Sequence, residues 1–362
     1  MRLQTESGIA MAQTESLLRA TRKNWPAYLY LLPAALVFAA FVIYPIGRAA
    51  VWSFTDLSLL DPASARYVGW DNYRAILSDE DVGLDPKTLA DWRSMFRAGD
   101  DPARPTWKRW LTFDWPGGAV WNTVKFTVLF LPVYVIIPLI IAAMLDHVRT
   151  GSVFLRTVIF IPVIISVAVA SVIWIILYNP NYGIFNLAIA LVRDALNWIV
   201  GLVSTNEAYF TFTGPNWLGD RLWAMPAIAF MCFWNGMGLN VLLYLVGLNR
   251  IDSELYEAAV VDGATPRQQF LRITLPLLRP TTYLVVLLSL IGSLRVFGQM
   301  WIMTEGGPQD STVSYVMYLY RVAFHPTRDF EFGYASALAF VLAAVIFVLT
   351  ACTQRFSRAV EQ

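Results

Sequence analysis

Six segments of the chain, residues 27–48, 120–145, 155–178, 222–248, 281–303 and 332–352, each supply 20 or more mostly apolar residues. That is the length an α-helix needs to cross a hydrocarbon layer of about 30 Å. The expectation is therefore an all-α polytopic membrane protein with six transmembrane helices. Composition agrees: 57% of the 362 residues are hydrophobic and 15% are charged, outside the range of a soluble domain and in need of lipid. A weaker run, 184–203, is interrupted by Arg193, Asp194 and Asn197. Its apolar residues follow helical spacing around that polar face, which predicts an amphipathic helix at the surface.

Basic residues in short loops set orientation. With the N-terminus inside, Arg19, Arg22, Lys23, Arg149, Arg156, Arg250, Arg267, Arg272, Arg279, Arg355 and Arg358 all fall on the cytoplasmic side. The organisation predicted is a tail at 1–26, a first helix at 27–52, an extracytoplasmic insertion at 53–119, a helical core at 120–352 with a cytoplasmic loop at 249–280, and a tail at 353–362, both termini cytoplasmic. The first run is too long for a signal-peptide core and reads as an uncleaved helix. Pro33, Pro45, Pro132, Pro138, Pro162 and Pro226 lie in or at the ends of spans. They read either as kinks around a cavity or as simple packing. Trp25, Trp121, Trp217, Trp223 and Trp301 cluster near predicted span ends, as interfacial belts do.

Several function classes are disfavoured. The net charge of +1 gives no reason to expect nucleic acid. Cys232 and Cys352 are isolated in apolar runs, and His147 and His325 fall in different loops, so neither a disulfide framework nor a metal site is expected. No phosphate loop, zinc-protease or nucleophile-elbow pattern occurs. The chain is thus expected to bind no cofactor and to carry no catalytic group, and any ATP chemistry belongs to another chain.

The cytoplasmic loop is built to fold. Asp252 or Ser253 caps a helix with Glu254 in its first turn, and Gly263 suits the left-handed position that ends it. Thr265, Pro266 and Gln268 then form a capping box that opens a second helix, closed by Arg279 and Pro280. The first helix presents Leu255, Ala258, Ala259 and Asp262, a low-relief side that a partner can approach, or that can lie against the chain's own span ends.

Within that loop, Glu257, Ala258, Ala259, Gly263, Ile273, Leu275 and Pro276 stand in the pattern E-A-A, three residues, G, nine residues, I-x-L-P, with Asp262 before the glycine. This resembles the EAA signature of permease subunits of binding-protein-dependent ABC importers. The "MTEGGPQDSTVSYVMYLYRVAF" stretch at 303–324 and "FGYASALAFVL" at 332–342 are similar to the carbohydrate-uptake branch, of the maltose and glycerol-phosphate type. The resemblance implies the type I importer permease fold in a bacterial cytoplasmic membrane. It also implies a second related permease, two cytoplasmic ATPases that hold ATP and Mg, and an extracytoplasmic sugar-binding protein. Glu257, Ala258, Ala259, Asp262, Gly263, Ile273, Leu275 and Pro276 would form the coupling element seated in the ATPase. The insertion at 53–119 is longer than the family's short form.

For a translocation path, polar groups inside spans are the guide, because they are costly there. Gly292, Arg295 and Gln299 share one face at helical spacing, with Ser289 nearby, and the fourth run supplies Trp234, Asn235, Gly236 and Asn240. Amide and guanidinium groups with an aromatic face suit a sugar. The same residues also suit helix packing, with Arg295 paired at the outer interface. The expected activity is sugar import, of a di- or oligosaccharide or related carbohydrate, by alternating access. The competing reading is a stand-alone secondary transporter. It is disfavoured because no span core contains Asp or Glu for ion coupling.

Overall fold

The computed structural model describes residues 25–96, 117–146, 148, 151–203, 210–211, 213–326 and 330–361. Arg19, Arg22, Lys23, His147 and Arg149, together with the side chains of Trp25 and Arg358, lie outside the described positions. Helices dominate and no strand forms among the described residues beyond two isolated bridges.

Helix α1 runs through Trp25–Phe38, a π-helical turn at Ala39–Ile43, and Tyr44–Trp52. The insertion contributes α2 (Asp71–Ile76) and α3 (Pro86–Phe96). The core comprises α4 (Ala119–Asp146), α5 (Ser152–Ile164), α6 (Val167–Leu177), the surface helix α7 (Ile184–Val203) and α8 (Arg221–Leu248). The loop at 249–280 holds α9 (Ser253–Val261) and α10, which spans Pro266–Leu277 with a π-helical turn at Phe270–Thr274. Then follow α11 (Arg279–Leu294), α12 (Gly298–Thr304), α13 (Tyr315–Phe324) and α14 (Phe332–Glu361). Among the described residues four helices are long and apolar enough to cross a membrane, and two bent pairs raise the number to six if each is one span.

Two expected spans are not straight helices. The third, 155–178, is broken at 165–166, and α5 meets α6 at 100°. Pro162 has no N–H to continue the ladder, and Ser166 starts afresh by accepting from Val169 N at 3.4 Å. The fifth, 281–303, stops at Leu294; residues 295–297 leave the helix, and α12 is separate. In that gap the Val296 carbonyl accepts from the Ser314 hydroxyl at 2.6 Å, which ties the break to the start of α13. Pro132, Pro138 and Pro226, by contrast, sit inside unbroken helices.

Helix α8 is the axis of the molecule, packed by α4, α5, α6, α11 and α12. Lipid is as apolar as leucine, so helices associate through close packing and polar links rather than by escape from water. Gly238 supplies the close approach: a Cβ there would stand 2.6 Å from the Ile159 carbonyl oxygen of α5. Asn240 supplies a link, donating to the Tyr134 carbonyl of α4 at 2.8 Å and to Ser289 of α11 at 3.3 Å.

The amphipathic helix forms as expected. Asn186 and Asn197 share its polar stripe with Arg193, and they bond the carbonyls of Pro215 and Phe210 in the returning segment. Trp217 donates to Asn186 at 2.7 Å, and Trp121 to the Gly83 carbonyl at 2.8 Å, so these two indoles are held by protein partners.

The described part of the insertion is stitched to the C-terminal end of α1 and the N-terminal end of α14. Asn72 donates to the Ser53 and Thr55 carbonyls at 2.9 and 2.8 Å, and Gly333 N donates to the Leu57 carbonyl at 3.0 Å. Asp79 accepts from the hydroxyls of Tyr318 and Tyr334. Helix α1 meets the rest of the described chain chiefly at this end, where its Trp52 ring stands edge-on to Phe332 of α14.

Candidate functional site

The loop at 249–280 folds as its caps dictate. Asp252 accepts from Glu254 N at 3.1 Å to start α9. Gly263 adopts φ 78°; Ala264 N bonds the Ala259 carbonyl at 2.8 Å and Gly263 N the Val260 carbonyl at 3.0 Å. This pair of bonds is the Schellman closure, which only a residue at ease with positive φ makes cheaply. The Thr265–Gln268 capping box forms in both directions around Pro266.

No residue of α9 is buried. Glu257, Ala258 and Asp262 are exposed, as are Val260 and Val261, and Ala259 is half-buried. The Tyr256 and Thr274 hydroxyls, 2.8 Å apart, join α9 to α10. Ile273 and Pro276 are half-buried and Leu275 is exposed. At fully buried Leu278 the chain turns 65° into α11. The result is a prefolded, exposed helix on a bent arm that leads into α11.

A cavity of about 260 Å³ lies among α4, α8, α11 and α12. Phe126, Phe130 and Tyr134 give it a stacked aromatic wall, with ring centroids 5.2 and 4.2 Å apart in turn. Asn235, Asn240, Ser289 and Gln299 line it with polar groups. Aromatic faces beside amides and hydroxyls match the apolar faces and hydroxyl rims of a sugar. Sequence reasoning missed the aromatic wall, although its four-residue spacing along α4 was visible.

Of the residues expected on a path, Asn235, Asn240 and Gln299 are brought together here, while Trp234 and Arg295 are not among the lining. Trp234 packs on Trp174, ring centroids 5.5 Å apart. Arg295 sits exposed at the end of α11. The shared helical face expected for Gly292, Arg295 and Gln299 is corrected by the break at 295–297, which puts Gln299 on another helix. Asn235 also braces the backbone, because its amide donates to the Pro162 and Ile165 carbonyls, at 2.7 and 3.2 Å, at the α5–α6 bend.

A second cavity, of about 490 Å³, opens where the insertion meets α12 and α13, and Glu80, Asp81, Glu305 and Asp310 are in its walls. Arg321 pairs with Asp310 there at 2.9 Å and donates to the Glu305 carbonyl at 2.7 Å.

Residues 113–362, which hold both the α9–α10 loop and the aromatic-walled cavity, match the binding-protein-dependent transport system inner membrane component family. The chain belongs to that family. As such an inner-membrane component it is similar, at 32% identity over 91% of its length and 94% of the relative's, to a probable ABC transporter permease protein, YurN, of Bacillus subtilis. It is 30% identical, over 92% of its length and 90% of the relative's, to the sulfoquinovosyl glycerol transport system permease protein SmoG of Agrobacterium fabrum. The arabinooligosaccharides transport system permease protein AraP of Bacillus subtilis is 28% identical over 92% of this chain and 89% of its own.

The fold matches a chain of a bacterial ABC transporter involved in import of the acidic polysaccharide alginate, with a TM-score of 0.68 at 21% identity, covering 96% of this chain and 99% of that one. The likeness in fold thus reaches beyond the residues of the family match.

Proposed function

We propose that this inner-membrane component is a permease subunit of an ATP-driven importer that passes a saccharide from an extracytoplasmic binding protein into the cytoplasm. The observation that carries the reading is the pairing, in one chain, of an exposed, Schellman-closed EAA helix with a polar, aromatic-walled cavity between α4, α8, α11 and α12. Family membership and the curated relatives, whose names include carbohydrate transport systems, support the substrate class. A transporter of the same fold was solved in complex with an alginate pentasaccharide-bound periplasmic protein, which supports a docked binding protein.

In this reading Glu257, Ala258, Ala259, Asp262 and Gly263 contact one of two cytoplasmic ATPases, which bind ATP and Mg. Ile273, Leu275 and Pro276 brace the arm. Closure of the ATPases rocks α9 and α10, and the elbow at Leu278 converts this into tilting of α11 against α8. A second related permease completes the pathway, and both termini are cytoplasmic. Asn235, Asn240 and Gln299 face the passing sugar.

Affinity purification of the tagged chain from its own host tests this directly. Recovery of a second permease and an ATPase, with ATP hydrolysis stimulated by a saccharide-loaded binding protein, is expected. Recovery of the chain alone, active in uptake, would establish the secondary-transporter alternative instead.

A further inference from the structure

We infer that Arg295 recognises an anionic group on the substrate, so that the transported saccharide carries a carboxylate, sulfonate or phosphate. The inference deepens the carbohydrate reading and rests on it.

Helix α11 rises 16 residues from the elbow, about 24 Å at 1.5 Å per residue. Its end therefore remains within a hydrocarbon layer of about 30 Å, toward the outer side. Leu288 and Gly292 of α11 line the inner cavity, and residue 295 continues their 4-then-3 spacing. Arg295 is the capping residue of α11: its N still bonds the Ile291 carbonyl at 3.3 Å, so its Cα is placed by the helix, while its own φ/ψ of −101° and 12° end the helix. Arg295 thus stands one turn outward from the cavity on the same face. The rim is open on both sides of it: a methyl group added at Gly292 or at Gly298 would meet nothing within 4 Å.

Arg295 makes no ion pair and no side-chain hydrogen bond among the described residues. The C-terminal end of α11 favours a cation, but that attraction is a fraction of the cost of an unpaired arginine at membrane depth. The acids of the outer cavity do not serve, because α12 separates them from the path: Gln299 lines the inner cavity, whereas Trp301 and Glu305 line the outer one. The inner cavity itself is lined without a charged residue. A guanidinium presents parallel donors matched to carboxylate, sulfonate or phosphate oxygens, so a charged sugar passing the rim supplies what Arg295 lacks.

The test uses the complete complex in nanodiscs of zwitterionic lipid, with its binding protein, and reads ATP hydrolysis. Neutral probes are maltose, lactose and arabinobiose; charged probes are digalacturonate, sulfoquinovosyl glycerol and glucose 6-phosphate. Stimulation by a charged probe is expected. Arg295→Gln should raise the concentration needed for that stimulation roughly tenfold, the scale of one charge-assisted hydrogen bond, with Arg295→Lys in between. Stimulation by neutral probes alone overturns the inference and leaves the carbohydrate reading standing, as does an Arg295→Gln response equal to the parent's. Silence from every probe removes both. A defect confined to nanodiscs containing anionic lipid assigns the arginine to a headgroup, and loss of the second permease on purification assigns it to a subunit contact; either outcome overturns the inference.

Discussion

The Tyr334 hydroxyl of the last span donates to the Asp79 carboxylate of the insertion at 2.8 Å, and the Tyr318 hydroxyl meets the same oxygen. Hydrogen bonds to a charged group each contribute about 1.5–3 kcal/mol. Asp79→Ala is expected to lower the Tm of the purified protein by several degrees and to open the insertion to protease. Tyr334→Phe should do about half as much. Melting curves that superimpose would show that the insertion is held elsewhere.

Asn235 separates two roles that a transport assay alone would confuse. Asn235→Leu leaves the Pro162 and Ile165 carbonyls unpaired at the bend, at a cost of about 1–3 kcal/mol. Both Tm and uptake should fall. A fall in uptake with an unchanged Tm would mean that the residue serves the path and not the bend.

Gly236 has no room for a side chain, since its Cβ would overlap the Tyr134 hydroxyl. Gly236→Ala should reduce uptake by forcing the aromatic wall outward. Tyr134→Phe in the same chain should restore part of it, and only part, because the ring carbon behind the oxygen would remain 2.9 Å away. Failure of the double variant to exceed the single one would refute the contact.

At Gly263 nothing lies within 4 Å of an added Cβ, so any effect of substitution is conformational. A β-branched residue at φ 78° is strained by about 1–2 kcal/mol, whereas asparagine tolerates that region. Gly263→Val is expected to cut substrate-stimulated ATP hydrolysis and Gly263→Asn to preserve most of it. Equal activity in the two variants would argue against the closure as the functional shape of the loop.

Asp85 caps α3. Its carboxylate is held below the ordinary value of 3.8 by hydrogen bonds from Thr88 and from the Lys87 backbone N–H. A lowered acid stabilises the fold fully above its unfolded pKa and loses that contribution as pH falls through the folded one. Protease sensitivity of α3 should therefore rise on acidification below about pH 4. Asp85→Asn should flatten this rise, and an unchanged acid response in that variant would remove Asp85 as its source.

Local chemistry was the most legible part of the sequence. Asp252, Gly263 and the Thr265–Gln268 box each name a backbone state, and each adopts it. Breaks inside apolar runs were less legible, because hydropathy reports depth in lipid and not backbone direction. Residues 158–178 are apolar but for two serines across a 100° bend, and the marks left are Pro162 and a capping serine four residues later. The gap at 295–297 carries no proline, and only Gly298 hints at it. Asn235 read as a path residue because its spacing places it on α8, whereas its partners are brought up by a neighbouring helix that the sequence could not position. The aromatic residues of α4 stand at a legible four-residue spacing, but in a helix apolar all round that face is not singled out as the one lining a cavity.

No residue in 29–52 is buried, and α1 finds its partner within the chain in α14. Those two helices lie 280 residues apart at the Trp52–Phe332 contact. At about 5–20 residues per second of synthesis, roughly 15 to 60 s separate their emergence from the ribosome. During that interval the first span stays in lipid without its intrachain neighbour. The clasp between first and last helices therefore cannot begin to form until synthesis has passed residue 332, and a chain stalled before that point cannot close.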